Sequence, residues 1–144
     1  MTRKTEACCF GKALVAAALL LCVWGCVGRA DATIWHVTSA ADDPSNPAVG
    51  TLRHAVNNAW NYDIIAIDFY DQEIALKSEI YIQKDITIIG YGTSHPTVIR
   101  QTTAGERVFR VKSYAIVRFE YLTITGGSAT ATGTNPGGGG ILNY

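Results

Sequence analysis

This sequence has no cysteine after residue 26. All four of its cysteines lie within the first 32 of its 144 residues, at Cys8, Cys9, Cys22 and Cys26. The remaining chain can therefore form no disulfide, and it offers neither a thiol nucleophile nor a cysteine-based metal site. Its stability has to come from packing and from backbone hydrogen bonds.

The chain also lacks an excess of charge of either sign. It carries 12 basic and 12 acidic residues, and without its first 32 residues it keeps eight basic and ten acidic ones. A protein that binds nucleic acid would favour a basic face, and a protein that binds the membrane surface would favour a polybasic patch. The composition supports neither kind of partner.

Several catalytic motifs are missing as well. No serine lies in a G-x-S-x-G turn, so a Ser-His-Asp hydrolase has no support. His36, His54 and His95 form no H-x-H or H-E-x-x-H pattern, which removes the usual zinc motifs. The glycine tract at 137–140 lacks the Lys-Ser/Thr of a phosphate-binding loop. No residue is therefore predicted to be catalytic.

The first 32 residues have the layout of a secretory signal peptide. Basic residues near the start precede an apolar run at 13–23, and a small-x-small cleavage site ends at Ala32. The alternative is an uncleaved membrane anchor, but the apolar run is shorter than the ~20 residues that a spanning helix needs. We predict a secreted or cell-surface protein whose mature chain begins at Thr33 and has no transmembrane span.

Residues 33–62 are predicted to form an N-terminal cap made of a strand, a loop and a helix. The strand covers 33–38, and the loop at 39–50 contains two prolines, which cannot donate to a strand ladder. Thr51 is suited to be a helix N-cap, and apolar residues then recur at helical spacing as far as Trp60. The apolar stripe of this helix is expected to cover the open end of the first coil of a solenoid.

Polar residues of the cap are expected to have structural roles. Asp42 and Asp43 precede Pro44, and such residues form turns more often than they bind ligands. Arg53 is expected to bond the helix to the first coil.

Residues 63–144 contain short apolar runs with the two-residue period of β-strands. The turns between them contain glycine and polar residues, and none is the Asn-Gly or Asp-Gly pair that favours antiparallel hairpins. This pattern predicts an all-β fold, a parallel β-solenoid of about four coils at roughly 20–25 residues each. The runs are DIIAIDF (63–69), EIAL (73–76), EIYI (79–82), DITIIG (85–90), TVIR (97–100), RVFRV (107–111), AIVRFE (115–120), YLTITGG (121–127) and ILNY (141–144).

The glycine-rich segment 128–140 is predicted to be a long loop, because the apolar run that follows it is what a next coil would look like. The series of coils is expected to be incomplete at the C-terminus. A protein that ended in this way would be expected to associate end to end through its last coil.

DDPSNPAVGTLRHAV, at 42–56, resembles the N-terminal stretch of pectate lyases, and LKSE (76–79) and TIIGYG (87–92) follow at a similar spacing. Later segments resemble the coils of polymorphic outer-membrane proteins and autotransporter passenger domains, among them LTITGG (122–127) and GGGGILN (137–143). Both groups share the pectin-lyase-like fold. The resemblance implies a right-handed parallel β-helix with a short N-terminal capping helix.

The resemblance implies two alternative functions. The surface-protein pattern implies a non-catalytic surface, adhesion or carbohydrate-interacting scaffold, with an extracellular polysaccharide or a host or cell-surface ligand as partner. The pectate lyase pattern implies the N-terminal fragment of a Ca²⁺-dependent polysaccharide lyase, whose calcium ligands and catalytic arginine lie on later coils. No residue of this chain matches those groups, so we favour the scaffold.

Asp68, Asp71 and Glu73 are the candidates for a metal site. Carboxylates are the ligands that Ca²⁺ prefers, but Phe69 and Tyr70 stand where a calcium loop would place further ligands. We expect a solvated turn and no cofactor, with Ca²⁺ only if the protein is lyase-like. Substrate-binding residues stay open, with six tyrosines as candidates for stacking on sugars: Tyr62, Tyr70, Tyr81, Tyr91, Tyr114 and Tyr121.

Overall fold

The computed structural model describes residues 31–129 and 138–143. The predicted signal peptide, apart from its last two residues, lies outside this part of the chain. The described elements are β1 (Ile34–Val37), α1 (Leu52–Asn58), β2 (Ile64–Ile67), β3 (Glu73–Leu76), β4 (Ile80–Ile82), β5 (Ile86–Ile89), β6 (Thr97–Gln101), β7 (Phe109–Val111), β8 (Val117–Glu120), β9 (Leu122–Thr125) and β10 (Ile141–Asn143). Within the described residues, no helix is long and apolar enough to cross a membrane.

The strands form three parallel sheets that the chain visits in turn. Sheet A has the order β1-β2-β5-β8, sheet B has β3-β6-β9, and sheet C has β4-β7-β10. All the described strand pairs are parallel. The chain therefore completes about four coils, which confirms the predicted all-β parallel solenoid. The right-handed sense of the coil stays a prediction.

The register places inward-facing apolar residues of successive coils above one another. In sheet A, Ile65 is paired with Ile88, and Ile88 with Phe119. In sheet B, Ile74 is paired with Ile99. Because the side chains of a strand alternate between its two faces, a register shift by one residue would turn each apolar set outward. Burial of these side chains therefore fixes the stacking of the coils.

The helix α1 covers the first coil, as the sequence predicts. The Thr51 hydroxyl accepts a hydrogen bond from the His54 amide at 3.3 Å, which confirms the expected N-cap. The expected apolar face ends early, however, because the backbone becomes extended at Ala59. Trp60, predicted to extend this face, is 78% exposed, so that part of the prediction is wrong. The apolar face consists of Leu52, Ala55, Val56 and Ala59.

The glycine-rich segment leads into another coil. β10 pairs in parallel with β7, so the apolar run after this segment forms a strand of a further coil, as predicted. The two ends of this loop meet at Gly127 and Gly139, where a Cβ atom on Gly127 would lie 1.9 Å from the Gly139 carbonyl oxygen. Only glycine allows this approach. Residues 130–137 of the predicted loop lie outside the described residues.

Candidate functional site

The three carboxylates proposed as metal ligands have different surroundings. Asp68 Oδ2 lies 2.9 Å from His36 Nδ1, and Arg100 Nε lies 2.7 Å from both carboxylate oxygens of Glu73. Asp71 is exposed. The part of the chain that the structure describes contains no group of three His, Cys, Asp or Glu side chains that would hold a metal ion. Asp68 is thus hydrogen-bonded to His36, and Glu73 forms a surface ion pair with Arg100.

Arg53 and Asp42 form a buried ion pair that fastens the helix to the first coils. Arg53 donates from Nε and Nη2 to the two carboxylate oxygens of Asp42, at 2.6 and 2.9 Å. The same guanidinium donates to the carbonyl oxygens of Ser78 and Glu79 at 2.8 and 3.0 Å. The predicted bond from the capping helix to the first coil is therefore confirmed. We call this pair the cap latch.

The two aspartates before Pro44 differ in role. Asp43 accepts hydrogen bonds from the amides of Ser45 and Asn46, which confirms the predicted turn. The same expectation was wrong for Asp42, which is 6% exposed. A buried carboxylate needs a partner charge, and its partner Arg53 lies eleven residues further along the chain. Neighbouring residues alone could not reveal that pairing.

Asp63 is a second buried carboxylate, and the sequence pattern places it only at the start of a strand. Its oxygens accept hydrogen bonds from the Thr33 amide at 2.8 Å, the Trp35 indole at 2.9 Å and the Trp60 amide at 2.8 Å. Burial acts to raise the pKa of Asp63, but these hydrogen bonds and the positive charge of Lys84 outweigh it and lower the pKa below 3.8. The carboxylate is therefore held ionised as a structural acceptor.

Two tyrosines and a histidine form an exposed cluster where sheet A turns into sheet B. The Tyr70 ring lies 4.8 Å from the Tyr91 ring and 5.1 Å from the His95 ring, both tilted by 44°. Tyr70 is 50% exposed and Tyr91 55% exposed. We call Tyr70, Tyr91 and His95 the aromatic corner. The other two histidines lie elsewhere, since His54 packs against Trp35 and His36 is hydrogen-bonded to Asp68.

The strand register brings the aromatic corner together. Tyr70 lies in the turn between β2 and β3, and Tyr91 lies in the turn between β5 and β6 of the next coil. Since β2 pairs with β5 and β3 with β6, the two turns are stacked. The buried Thr97 hydroxyl joins them, because it donates to the Phe69 carbonyl at 3.2 Å and accepts from the Tyr91 amide at 3.1 Å.

Three of the other candidate tyrosines lie away from the aromatic corner. Tyr81 lies under the Arg110 guanidinium, 4.5 Å from its ring centre, and Tyr114 is 99% exposed. Tyr62 lines an open cleft of about 250 Å³ at the corner between sheets C and A, together with Asp85, Ile86, Thr87, Ile116 and Arg118. The charged groups of this cleft have partners, since Asp85 accepts from the Ile116 amide and Arg118 pairs with Glu120.

Comparison with protein-family models, with curated proteins and with solved structures finds no match to this chain. The fold and the site therefore define its class as a parallel β-solenoid with a cluster of exposed aromatic side chains on one corner.

Proposed function

We propose that the protein is a secreted or cell-surface scaffold without catalytic activity, and that it binds carbohydrate at the aromatic corner. The observation that carries this proposal is the exposed cluster of Tyr70, Tyr91 and His95. The signal-peptide pattern of residues 1–32 supports an extracellular location. The scaffold is the stack of coils, which holds the aromatic rings in fixed positions.

Aromatic rings at this corner suit a sugar for two physical reasons. The electron-rich face of an aromatic ring attracts C–H groups with a small positive charge, and one face of a sugar ring presents such groups. The hydroxyl of tyrosine and the ring nitrogens of histidine can also exchange hydrogen bonds with sugar hydroxyls. Thr97 holds the backbones of the two turns in place, so less ordering of the chain is needed on binding.

The alternative is a fragment of a Ca²⁺-dependent polysaccharide lyase, and it rests on the resemblance of residues 42–56 to pectate lyases. In this segment Asp42 and Arg53 form the cap latch, and Thr51 caps the helix. These contacts give each of the three residues a structural role. The non-catalytic scaffold is therefore the better supported of the two functions.

Affinity electrophoresis tests the proposed binding. The purified protein is run in native gels that contain cellulose-derived, mannan, chitosan or polygalacturonate polymers, and we expect at least one of them to retard it. Tyr70→Ala and Tyr91→Ala should each weaken this binding about fivefold, since one stacked ring contributes about 1 kcal/mol. Tyr114→Ala is the matched control, because Tyr114 is exposed but lies away from the corner. Unchanged mobility with every polymer would contradict the proposal.

A separate assay tests the lyase alternative. The purified protein is incubated with polygalacturonate and Ca²⁺, and the unsaturated product of a lyase is followed by its ultraviolet absorbance. We expect no product. Steady turnover would favour the lyase over the scaffold.

A further inference from the structure

A third tyrosine, Tyr121, lies in the turn between sheets A and B of the next coil. Tyr121 is the single residue between β8 and β9, and its carbonyl oxygen accepts a hydrogen bond from the Thr97 amide at 3.1 Å. A Cβ atom on Gly90 would lie 2.1 Å from the same oxygen. The backbone of Tyr121 therefore packs directly on Gly90, beside Tyr91.

Tyr121 has a backbone conformation that tyrosine rarely adopts. Its φ is +54°, in the left-handed region where a side chain with a Cβ atom is strained. The ring is 46% exposed, so burial compensates for this strain only in part. Backbone strain alone does not establish a function, but strain at a ring beside a candidate site points to a role of that ring in the site. Tyr62 and Tyr114 also have a positive φ, but Tyr121 alone among these three lies beside the aromatic corner.

The charges near this corner favour some sugars over others. Arg100 is paired with Glu73, and Asp68 is paired with His36. Asp71 lies next to Tyr70 in the same turn, and no hydrogen bond or ion pair of its side chain is found within residues 31–129 and 138–143. The corner thus carries a carboxylate that can accept hydrogen bonds from sugar hydroxyls, and its arginine is already paired.

We infer that Tyr70, Tyr91 and Tyr121 form one track along the solenoid axis that binds a glycan without carboxylates, made of neutral or amino sugars. Adjacent coils lie about 4.8 Å apart, so three coils span about 10 Å, which suits a disaccharide unit. A uronate would bring its own carboxylate against Asp71 without an unpaired arginine to offset the repulsion. This inference rests on the proposed function, because it names the ligand class of the same site.

Isothermal titration of the purified protein with four hexasaccharides tests the inference. The probes are cellohexaose, mannohexaose, the chitosan hexamer and hexagalacturonate, the last with and without EDTA to detect bridging by Ca²⁺. We expect the affinity for at least one carboxylate-free probe to exceed that for hexagalacturonate at least tenfold. Tyr121→Gly removes the ring and accepts the positive φ, and it should weaken binding about fivefold to tenfold. Tyr114→Gly, with the same relief of strain, should leave binding unchanged. Asp71→Asn should reduce the difference in affinity between the carboxylate-free probes and hexagalacturonate.

The possible results distinguish the inference about the ligand class from the proposed function. Preferred binding of hexagalacturonate that is lost in Tyr70→Ala would overturn the inference and uphold the proposed function. Binding of a neutral or amino sugar that depends on Tyr70 but is unchanged in Tyr121→Gly would overturn the three-coil track. Binding of none of the probes would overturn both the inference and the proposed function.

Discussion

At the scale of single residues, Asp63 joins three parts of the chain through one carboxylate. Its hydrogen bonds reach the start of β1 at Thr33, the indole of Trp35 within β1, and the chain at Trp60 just after the helix. All three bonds need an acceptor, and an ionised carboxylate accepts without having to donate. The stability of this junction should therefore depend on the ionisation of Asp63.

The first prediction follows from the lowered pKa of Asp63. Because the folded-state pKa lies below 3.8, the unfolded chain takes up this proton at a higher pH than the folded chain does. The stabilisation is then complete above about pH 4 and is lost as the pH falls through the folded-state value. Urea unfolding between pH 2 and 6 should show wild type more stable than Asp63→Asn at pH 6, with the difference shrinking toward pH 2. Asp71→Asn is the exposed control. A difference in stability between wild type and Asp63→Asn that does not change with pH would contradict the role given to the ionised carboxylate.

The second prediction concerns Tyr114, which has a φ of +68° and is 99% exposed. A left-handed conformation costs about 1–2 kcal/mol for a residue with a Cβ atom, and glycine loses roughly 0.5–1 kcal/mol more on folding than alanine does. Tyr114→Gly should therefore raise the free energy of unfolding by about 0.5–1 kcal/mol in urea titrations. Tyr81→Gly, within a strand, is the control and should lower it. A destabilised Tyr114→Gly variant would show that the ring contributes to folding.

At the scale of elements, the capping helix is too short to be stable alone. It has seven residues, whereas isolated helices shorter than about 12–15 residues are marginal in water. Its stability therefore comes from contacts with the coils, through its buried apolar face and through the cap latch of Asp42 and Arg53. The side chains of this pair are 1% and 8% exposed, respectively.

The third prediction is that removal of one partner of the cap latch is strongly destabilising. Arg53→Met leaves the Asp42 carboxylate buried without its cation, and we expect a loss of about 3–5 kcal/mol in the free energy of unfolding. The double variant Asp42→Asn with Arg53→Met removes both charges, so it should recover part of this loss. A double variant no more stable than Arg53→Met would contradict the account of a charge left unpaired.

The elements themselves could be predicted from local pattern. The alternation of apolar residues in runs such as EIAL and DITIIG places β3 and β5 correctly, because it directly reflects one buried face. The prediction that Trp60 lies on the apolar face was wrong because helical spacing does not show where the backbone leaves the helix. The aromatic corner could not be predicted, because Tyr70 and Tyr91 meet only through the register of two different sheets. The sequence shows that Tyr70 and Tyr91 are present but not that their rings lie side by side.

At the scale of the whole molecule, the coils differ in how well they are covered. The inward residues Ile88 and Ile99 are fully buried, whereas Phe119 and Ile124 of the following coil are only partly buried. In a solenoid each coil is covered by its neighbours. Among the described residues, β8, β9 and β10 are edge strands, and edge strands pair readily with another chain.

The fourth prediction is that two copies associate through these edge strands. We expect the mass measured by light scattering to rise with concentration, because pairing of β8, β9 or β10 with a second copy would cover the partly buried Phe119 and Ile124. A monomer whose mass is independent of concentration would contradict this prediction. It would leave the fold and the proposed binding site unaffected.

Whether the aromatic corner binds carbohydrate is tested most directly by NMR titration of the ¹⁵N-labelled protein with cellohexaose, mannohexaose, the chitosan hexamer and hexagalacturonate in turn. We expect the largest amide shift changes in the turns that carry Tyr70, Tyr91 and His95, with smaller changes at Tyr121. Shift changes centred on the cleft beside Tyr62 would contradict this placement of the site. A spectrum that changes with none of the four hexasaccharides would contradict carbohydrate binding itself.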